Sequence, residues 1–403
     1  VQQCSHEDDL RRALAKPGVT YYIGFDPTAD SLHVGSSIPL MAMAHLQRAG
    51  HRPIAIIGGG TAMIGDPSGK TETRRMMTPK EIVRNAKAIL LQMRRFLTLD
   101  GKKGLVVNNL DWFQDFRYID FLRDVGRHFR VNDMIKAEGY RQRLQREEGL
   151  SFIEFNYQLL QAYDFLVLYD KYQCTLQMGG DDQWGNITAG FDFVRRMRGL
   201  REEKKGARQK SLVYGLTFPL LQTSRGQKMG KTEKGTVWLD AEKTSPYVLY
   251  QYWVNMDDKD IPRFLRMFTF LSLDEIERLD RLQGADIRQA KEVLAFEATK
   301  IVHGEGAARK AQEASRAAFG GGDMASADLP TVVIPYERFR EGIGVVDLFV
   351  KSGLADSKSD ARRLIDQKGA YLNDEPVTDA EFVVGADALR DGVLVLRRGK
   401  KQF

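Results

Sequence analysis

The sequence predicts an α/β fold: a parallel sheet with helices on its faces, followed by an α-helical domain and a small α+β unit. Three observations predict it. Short β-rich segments alternate with helix-length segments through the N-terminal half, as in strands joined by crossover helices. From about Ser245 the texture changes to aromatic amphipathic helices, "PYVLYQYWVNM" and "DIPRFLRMFTFL", and helical sequence continues from Ser272 to Phe319. "FGGGDMASADLP", Phe319 to Pro330, is rich in glycine and small residues and reads as a linker, beyond which a compact unit runs from about Gly342 to Phe403.

In chain order, "VTYYIGF" is the first strand, and a helix follows from about Ser37 to Ala49. "PIAIIGGGTAMIGD" holds the second strand and a glycine-rich exit, a helix runs from about Pro79 to Leu97, and "GLVVNNLDW" holds the third strand. "TLQMGGDDQWGNI" repeats the strand-then-glycine style and leads into a helix near Ile187 to Arg198. Ligands of such sheets sit at the carboxyl ends of the strands, which places "GFDPTADSLHVGS", "GGGTAMIGDPSG" and "GGDDQWGN" around one crevice. Tyr157, Gln161 and Asp164 fall at i, i+4 and i+7, so one helix face presents all three.

A chain of 403 residues has room for two or three domains. It contains no run of about 18 uncharged apolar residues, so no membrane span is predicted. Its start, "VQQCSHEDDL", has neither the basic flank nor the apolar core of a secretory signal. Cys4 and Cys174 are too few for a disulfide scaffold or a thiolate zinc site, and no metal ligand set is predicted. The expectation is a cytoplasmic protein with two free thiols whose first residues are missing. The net charge of +6 says little, but its distribution says more. Twelve basic and three acidic side chains lie between Arg195 and Lys234, and ten against three between Lys70 and Lys103. Such patches suit phosphate-rich partners, although solvated helix faces also produce them.

Two motifs bear on phosphate chemistry. His33 and Gly35 sit in "HVGS" at the mouth of a helix, where unpaired N–H groups and the dipole favour an anion and a histidine can donate to a phosphate oxygen. "KMGKT", Lys228 to Thr232, puts two lysines three apart around a glycine in a polar loop, a cationic clamp suited to a triphosphate. Alone, each is matched by a bland alternative, a turn histidine and a solvated basic loop.

Together and in this order, the two motifs resemble the "HIGH" and "KMSKS" signatures of class I aminoacyl-tRNA synthetases. The likeness extends well beyond them. "YYIGFDPTADSLHVG", "IIGGGTAMIGDPSGKTETR", "NNLDWF", "FLRDVGRHFRVNDMI", "NYQLLQAYDF", "GGDDQWGNITAG" and "KTSPYVLYQYW" are similar to the bacterial-type tyrosyl-tRNA synthetases, over essentially the whole chain. The resemblance implies a Rossmann-like parallel-sheet catalytic domain over 1–235 and a helical anticodon-stem-binding domain over 236–322. A linker over 323–341 and a small α+β RNA-binding domain over 342–403, like that of a ribosomal small-subunit protein, complete the implied organisation.

What the resemblance implies for chemistry is attack of the carboxylate of L-tyrosine on the α-phosphate of ATP, then transfer to tRNA(Tyr). Such a step needs positioning and electrostatics rather than a strong base. Thr28, His33, Lys70, Arg74, Lys228 and Lys231 are the implied catalytic donors, holding the pyrophosphate and its developing charge. Mg2+ is expected with ATP. Tyr22 and Asp164 are implied to meet the substrate hydroxyl, Asp66, Tyr157 and Gln161 its α-ammonium, and Gln183 its carboxylate. A site built to hydrogen-bond a hydroxyl rejects the analogue lacking it, because its own groups are left unpaired; this same enzyme family is the usual illustration. The implied ATP contacts are Gly24, Asp26, His33, Gly35, Gly180, Asp182, Lys228 and Lys231. In the C-terminal unit the resemblance points to Lys358, Arg362, Arg363 and Lys368 as tRNA contacts, although that unit carries ten basic and ten acidic residues, so only their placement can favour RNA. A homodimer is also implied, with "FLRDVGRHFRVNDMI" in its interface.

The chain departs from the family pattern at Ser36, where a second histidine is common, and at Ile23, which cannot make the ribose contact a cysteine offers there. Tryptophanyl-tRNA synthetases share fold and signatures, but Tyr22 and Asp164 favour a phenol over an indole. An RNA-binding protein on a retired synthetase body does not need His33, Lys228, Lys231 and Asp182 together. A cytidylyltransferase-like enzyme would leave the C-terminal unit unexplained.

Overall fold

The computed structural model describes residues 1–66, 77–145, 149–199, 213–224, 226, 229–232, 235–320, 331–373, 375–390 and 392–399, without the side chains of 231–232 and 318–320. The chain divides into two compact units, Val1–Lys243 with Asp257–Asp280, and Thr244–Met256 with Arg281–Phe403.

The first unit is built on five parallel strands, β1 (Thr20–Phe25), β2 (Arg52–Ile57), β3 (Leu105–Asn108), β4 (Cys174–Gly180) and β5 (Tyr214–Phe218), in the order β3-β2-β1-β4-β5. This is the parallel sheet that the alternation of strands and helices predicts, Rossmann-like as the resemblance implies. β1 is central, and the chain adds β2 and β3 on one side of it and β4 and β5 on the other, the switch in strand order at which such sheets place a ligand. Its side chains are buried on both faces, Tyr21 and Ile23 on one and Tyr22 on the other, as expected for a middle strand of a parallel sheet. Gly24 alone in that strand is exposed.

Crossover helices include α1 (Ser37–Arg48) and α2 (Pro79–Phe96), the second opened by a capping box between Thr78 and Glu81 with Pro79 at its first position. Three more helices shape the site: α3 (Glu138–Leu144), α4 (Phe152–Tyr172) and α5 (Trp184–Met197). α4 is apolar nearly all round because it is sandwiched, with Leu159, Ala162, Phe165 and Leu166 in the core beside Tyr22, Ile54 and Ile187. The helices Ile261–Phe268 and Leu273–Asp280, which sequence texture groups with the helical domain, belong instead to the sheet unit. The buried carboxylate of Asp260 explains this, since it accepts from the Ser224 N–H at 2.8 Å while Arg263 donates to the Gln222 carbonyl at 2.7 Å.

In the second unit the helices Pro246–Val254, Ile287–His303 and Glu305–Gly320 pack on one another around Leu249, Trp253, Leu294 and Ala295. The buried Gln251 donates to Ser315 Oγ at 2.9 Å. The chain ends in a small α+β fold with helices Val345–Lys351 and Lys358–Asp366, a three-stranded antiparallel sheet whose middle strand is Ala370–Leu372, and a core of Leu348, Phe349, Ile365 and Val384.

Candidate active site

The strand ends bring many of the described site residues into two hydrogen-bonded clusters, and the local sequence explains how. β1 ends at Phe25 and delivers Asp26 directly above the sheet; β2 ends at Ile57 and is followed by three glycines. Gly58 is required there, because a Cβ on it would lie 1.9 Å from Asp26 Oδ1. The tight exit lets Thr61 Oγ1 donate to Asp26 Oδ1 at 2.7 Å. On the other side of Asp26, the Tyr157 hydroxyl of α4 donates to Oδ2 at 3.0 Å. Burial, then the charge of Asp26, raises the Tyr157 phenol well above its ordinary range, so it is a donor at any working pH.

Two turns further along α4, Asp164 is buried and accepts from Asn109 Nδ2 at 3.1 Å and Trp112 Nε1 at 2.8 Å. Burial pushes its carboxyl up to about 8, outweighing the downward pull of those donors. Tyr22 lies at the same depth, 2 % exposed, its ring centroid 5.4 Å from that of Phe165. Its hydroxyl has no hydrogen-bond partner among the described residues. Burial first, then the neighbouring charge of Asp164, raises the Tyr22 phenol. An unsatisfied buried hydroxyl beside a carboxyl is the arrangement a ligand hydroxyl completes.

Asn109 also donates to Thr61 Oγ1 at 3.0 Å and accepts from the Gly60 N–H at 2.8 Å. A continuous polar chain therefore runs from Asp164 through Asn109 and Thr61 to Asp26 and Tyr157. Asn109, Trp112 and Thr61 were not singled out from sequence. "NNLDWF" contains the first two and carried part of the family likeness, so the signal was present without a role attached.

A second cluster gathers the residues expected around the amino-acid head group. Gln183 Nε2 donates to Asp66 Oδ2 at 2.7 Å, and Asn186 Nδ2 donates to both Gln161 Oε1 at 3.0 Å and Gln183 Oε1 at 3.2 Å. Asn186, buried on the first turn of α5, is another residue that sequence reasoning passed over. Burial, then the charge of Asp66, raises the carboxyl of Asp182. Gly180 packs against that side chain, with 2.6 Å between a built Cβ and Asp182 Oδ1.

The two signature motifs meet. Val34 N–H donates to the Val237 carbonyl at 3.0 Å, Val237 N–H donates to the Gly230 carbonyl at 2.8 Å, and the His33 ring faces Trp238 at 6.4 Å. Gly230 has φ +78°, and a Cβ there would lie 2.8 Å from the Gly35 nitrogen. Gly35 does not face open space. Its missing side chain makes room for the His33 ring and the Met229 carbonyl, 2.7 and 2.9 Å from a built Cβ. Gly24 does face open space, with nothing within 4 Å of a built Cβ, and Thr28 is exposed. Lys70, Arg74 and Lys228 lie outside the described residues, as does the side chain of Lys231, whose backbone forms a two-residue strand.

In the C-terminal fold, Lys358 pairs with Asp347 at 2.8 Å, Arg362 with Glu381 at 3.2 Å and Arg363 with Asp360 at 2.7 Å. Lys368 is exposed at a left-handed turn, φ +56°. Among the described residues no group of three or more His, Cys, Asp or Glu side chains is placed to hold a metal ion, and no helix is long and apolar enough to cross a membrane.

Comparison with known proteins gives the family of the chain. The family model described as tRNA synthetases class I (W and Y) matches residues 15–320, and that of the tyrosine--tRNA ligase SYY-like C-terminal domain matches 323–403. A curated tyrosine--tRNA ligase from Desulfosudis oleivorans is 54 % identical, covering 100 % of this chain and 95 % of its own. The chain belongs to the tyrosine--tRNA ligase family. Another relative of that name, from Clostridium botulinum strain Hall, is 51 % identical with the same coverage. Among solved structures, the C-terminally truncated mitochondrial tyrosyl-tRNA synthetase of Aspergillus nidulans is similar at TM-score 0.68 and 30 % identity, covering 78 % of this chain and 90 % of that one. The Coccidioides posadasii counterpart gives 0.66 and 31 %, covering 78 % and 88 %.

Proposed function

We propose that the chain activates L-tyrosine with ATP and charges tRNA(Tyr). The observation that carries the reading is the unpartnered, buried Tyr22 hydroxyl beside Asp164. A phenol hydroxyl entering there joins that pair, while Asp66, Tyr157, Gln161 and Gln183 receive the α-ammonium and carboxylate. The carboxylate oxygen then attacks the α-phosphorus of ATP, a P–O bond to pyrophosphate breaks, and tyrosyl-adenylate remains. No covalent enzyme intermediate is involved, so the rate comes from holding the reactants in line and stabilising charge on the phosphates.

Thr28, His33, Lys70, Arg74, Lys228 and Lys231 are the donors assigned to that charge, with Mg2+ arriving on ATP. Gly24, Asp26, Gly35, Gly180 and Asp182 border the nucleotide. Asp26 is already held by Thr61 and Tyr157, which suits a fixed acceptor better than a mobile one. The assigned parts are catalytic over 1–235, anticodon-stem-binding over 236–322, linker over 323–341 and RNA-binding over 342–403. In the last part Lys358, Arg362, Arg363 and Lys368 face tRNA, the first three by exchanging a carboxylate partner for a phosphate. The protein acts in the cytoplasm as a homodimer. Exposed Ile119 and Val131 in and beside "FLRDVGRHFRVNDMI", and Phe152 at the start of α4, 58 to 69 % exposed in the single chain, support that pairing.

ATP–pyrophosphate exchange, run with each amino acid in turn, is the test. Exchange is expected with tyrosine. Its absence sinks the reading, and exchange with tryptophan alone moves the chain to the sister activity.

A further inference from the structure

The same helix that carries the tyrosine contacts is held at its first turn by a side-chain device on the neighbouring helix. We propose that Tyr140 and Arg143, both on α3, are positioning residues. They fix the start of α4 and, through it, the amino-acid head-group cluster.

Arg143 is a charged side chain only 2 % exposed. Its Nη2 donates to Glu154 Oε1 at 3.0 Å and Oε2 at 3.1 Å. Glu154 is also the third residue of the α4 capping box: its Oε2 accepts from Ser151 Oγ at 2.9 Å and from Ser151 N–H at 3.2 Å, while Glu154 N–H donates to Ser151 Oγ at 3.2 Å. A capping box needs no arginine. A buried ion pair is a weak source of stability compared with apolar packing, and its better-attested use is to specify one geometry. Here it specifies where α4 begins.

Tyr140 acts one turn later. Its hydroxyl donates to the Phe155 carbonyl at 3.0 Å and accepts from the Gln158 N–H at 3.2 Å. A side-chain hydroxyl thus sits in the backbone ladder on either side of Tyr157, the residue whose own hydroxyl reaches Asp26. Gln158 carries the constraint onward, since its Nε2 donates to the Gly185 carbonyl at 2.9 Å on the first turn of α5. The next residue is Asn186, which holds Gln161 and Gln183, and Gln183 holds Asp66. Every link from α3 to the head-group cluster is therefore a hydrogen bond or a covalent step of one residue. A hydroxyl or guanidinium displaced from this path releases Tyr157 and Gln161 together, while on the nucleotide side Asp26 loses one donor and keeps the other, Thr61, and the Gly230 turn lies off the path. The substrate assignment rests on the proposed function; the brace itself does not.

Tyr140→Phe keeps the ring and removes the hydroxyl. The expected result in ATP–pyrophosphate exchange is a tyrosine KM raised about five-fold, the size of one modest hydrogen bond, with the ATP KM changed less than two-fold. Arg143→Lys keeps the charge on a shorter-reaching ammonium and should show a smaller rise. Amide hydrogen exchange supplies a readout independent of substrate: Tyr140→Phe should speed exchange over residues 155–161 and 185–187 and spare β1. An unchanged tyrosine KM in an active Tyr140→Phe protein overturns the proposal, as does a parallel rise for ATP or exchange that quickens across the whole unit. Wild-type protein inactive on tyrosine, with the local exchange pattern intact, removes the substrate assignment and leaves the brace standing.

Discussion

Tyr22→Phe should stabilise the ligand-free protein while weakening its hold on tyrosine. The Tyr22 hydroxyl is buried without a partner among the described residues, in a ring packed on Phe165. Leaving such a group unsatisfied costs about 1–3 kcal/mol, and phenylalanine removes the group without removing the packing. A gain of about 1 kcal/mol is expected, read as an unfolding midpoint raised by roughly 2–4 °C for a unit of this size. On the proposed assignment the same hydroxyl bonds the substrate phenol in the loaded site, and a neutral hydrogen bond contributes about 0.5–1.5 kcal/mol. The tyrosine KM should therefore rise about two- to twelve-fold, and selectivity over phenylalanine should fall with it. Thermal unfolding without ligands and exchange assays with both amino acids measure the two effects on one preparation. A Tyr22→Phe protein that is less stable than wild type would mean that the hydroxyl is satisfied in the empty site. Unchanged selectivity would mean that it does not read the phenol.

Three further outcomes follow from the same geometry. Because burial pushes Asp164 up to about 8 from an ordinary 3.8, the folded chain keeps a proton there that the unfolded chain loses above pH 4. The stability this group contributes is full below about pH 4 and is lost as pH rises through 8, so urea midpoints taken from pH 5 to 9 without tyrosine should fall less steeply in Asp164→Asn. Gly230→Ala forces a side chain into φ +78° and against the Gly35 nitrogen at 2.8 Å, so single-turnover adenylate formation should slow about ten-fold, the equivalent of 1–2 kcal/mol of backbone strain, with little change in tyrosine binding. Hydrogen bonds from Arg398, then Arg363, hold the Asp360 carboxyl below the ordinary carboxylate range, so the C-terminal fold gains stability above pH 4 that it loses as the medium is acidified. Asp360→Asn should abolish that acid sensitivity, lower the unfolding midpoint of this fold at neutral pH, and leave ATP–pyrophosphate exchange untouched.

Local sequence carried a large share of this organisation. The β-prone runs of β1 to β4 are contiguous, and the capping signals at Thr78 and Ser151 lie within three residues of their partners, so each element is determined by its own neighbours. The shared helix face of Tyr157, Gln161 and Asp164 follows from helical periodicity alone. Bonds across the fold follow from no such rule. Asn109 reaches Thr61 and Asp164 over 48 and 55 residues, and Tyr157 reaches Asp26 over 131. No periodicity links such positions, because their distance is set by which strands pair and how the helices cross them. The strand order β3-β2-β1-β4-β5, the place of Ile261–Phe268 in the sheet unit, the filling of Gly35's missing side chain by His33 and Met229, and the burial that raises Asp164 belong to the same class. Residue types and local elements were determined by the sequence. Which buried polar groups found partners, and that the Tyr22 hydroxyl has none among the described residues, was decided only by tertiary packing, since burial and hydrogen-bond partnership are properties of the assembled interior.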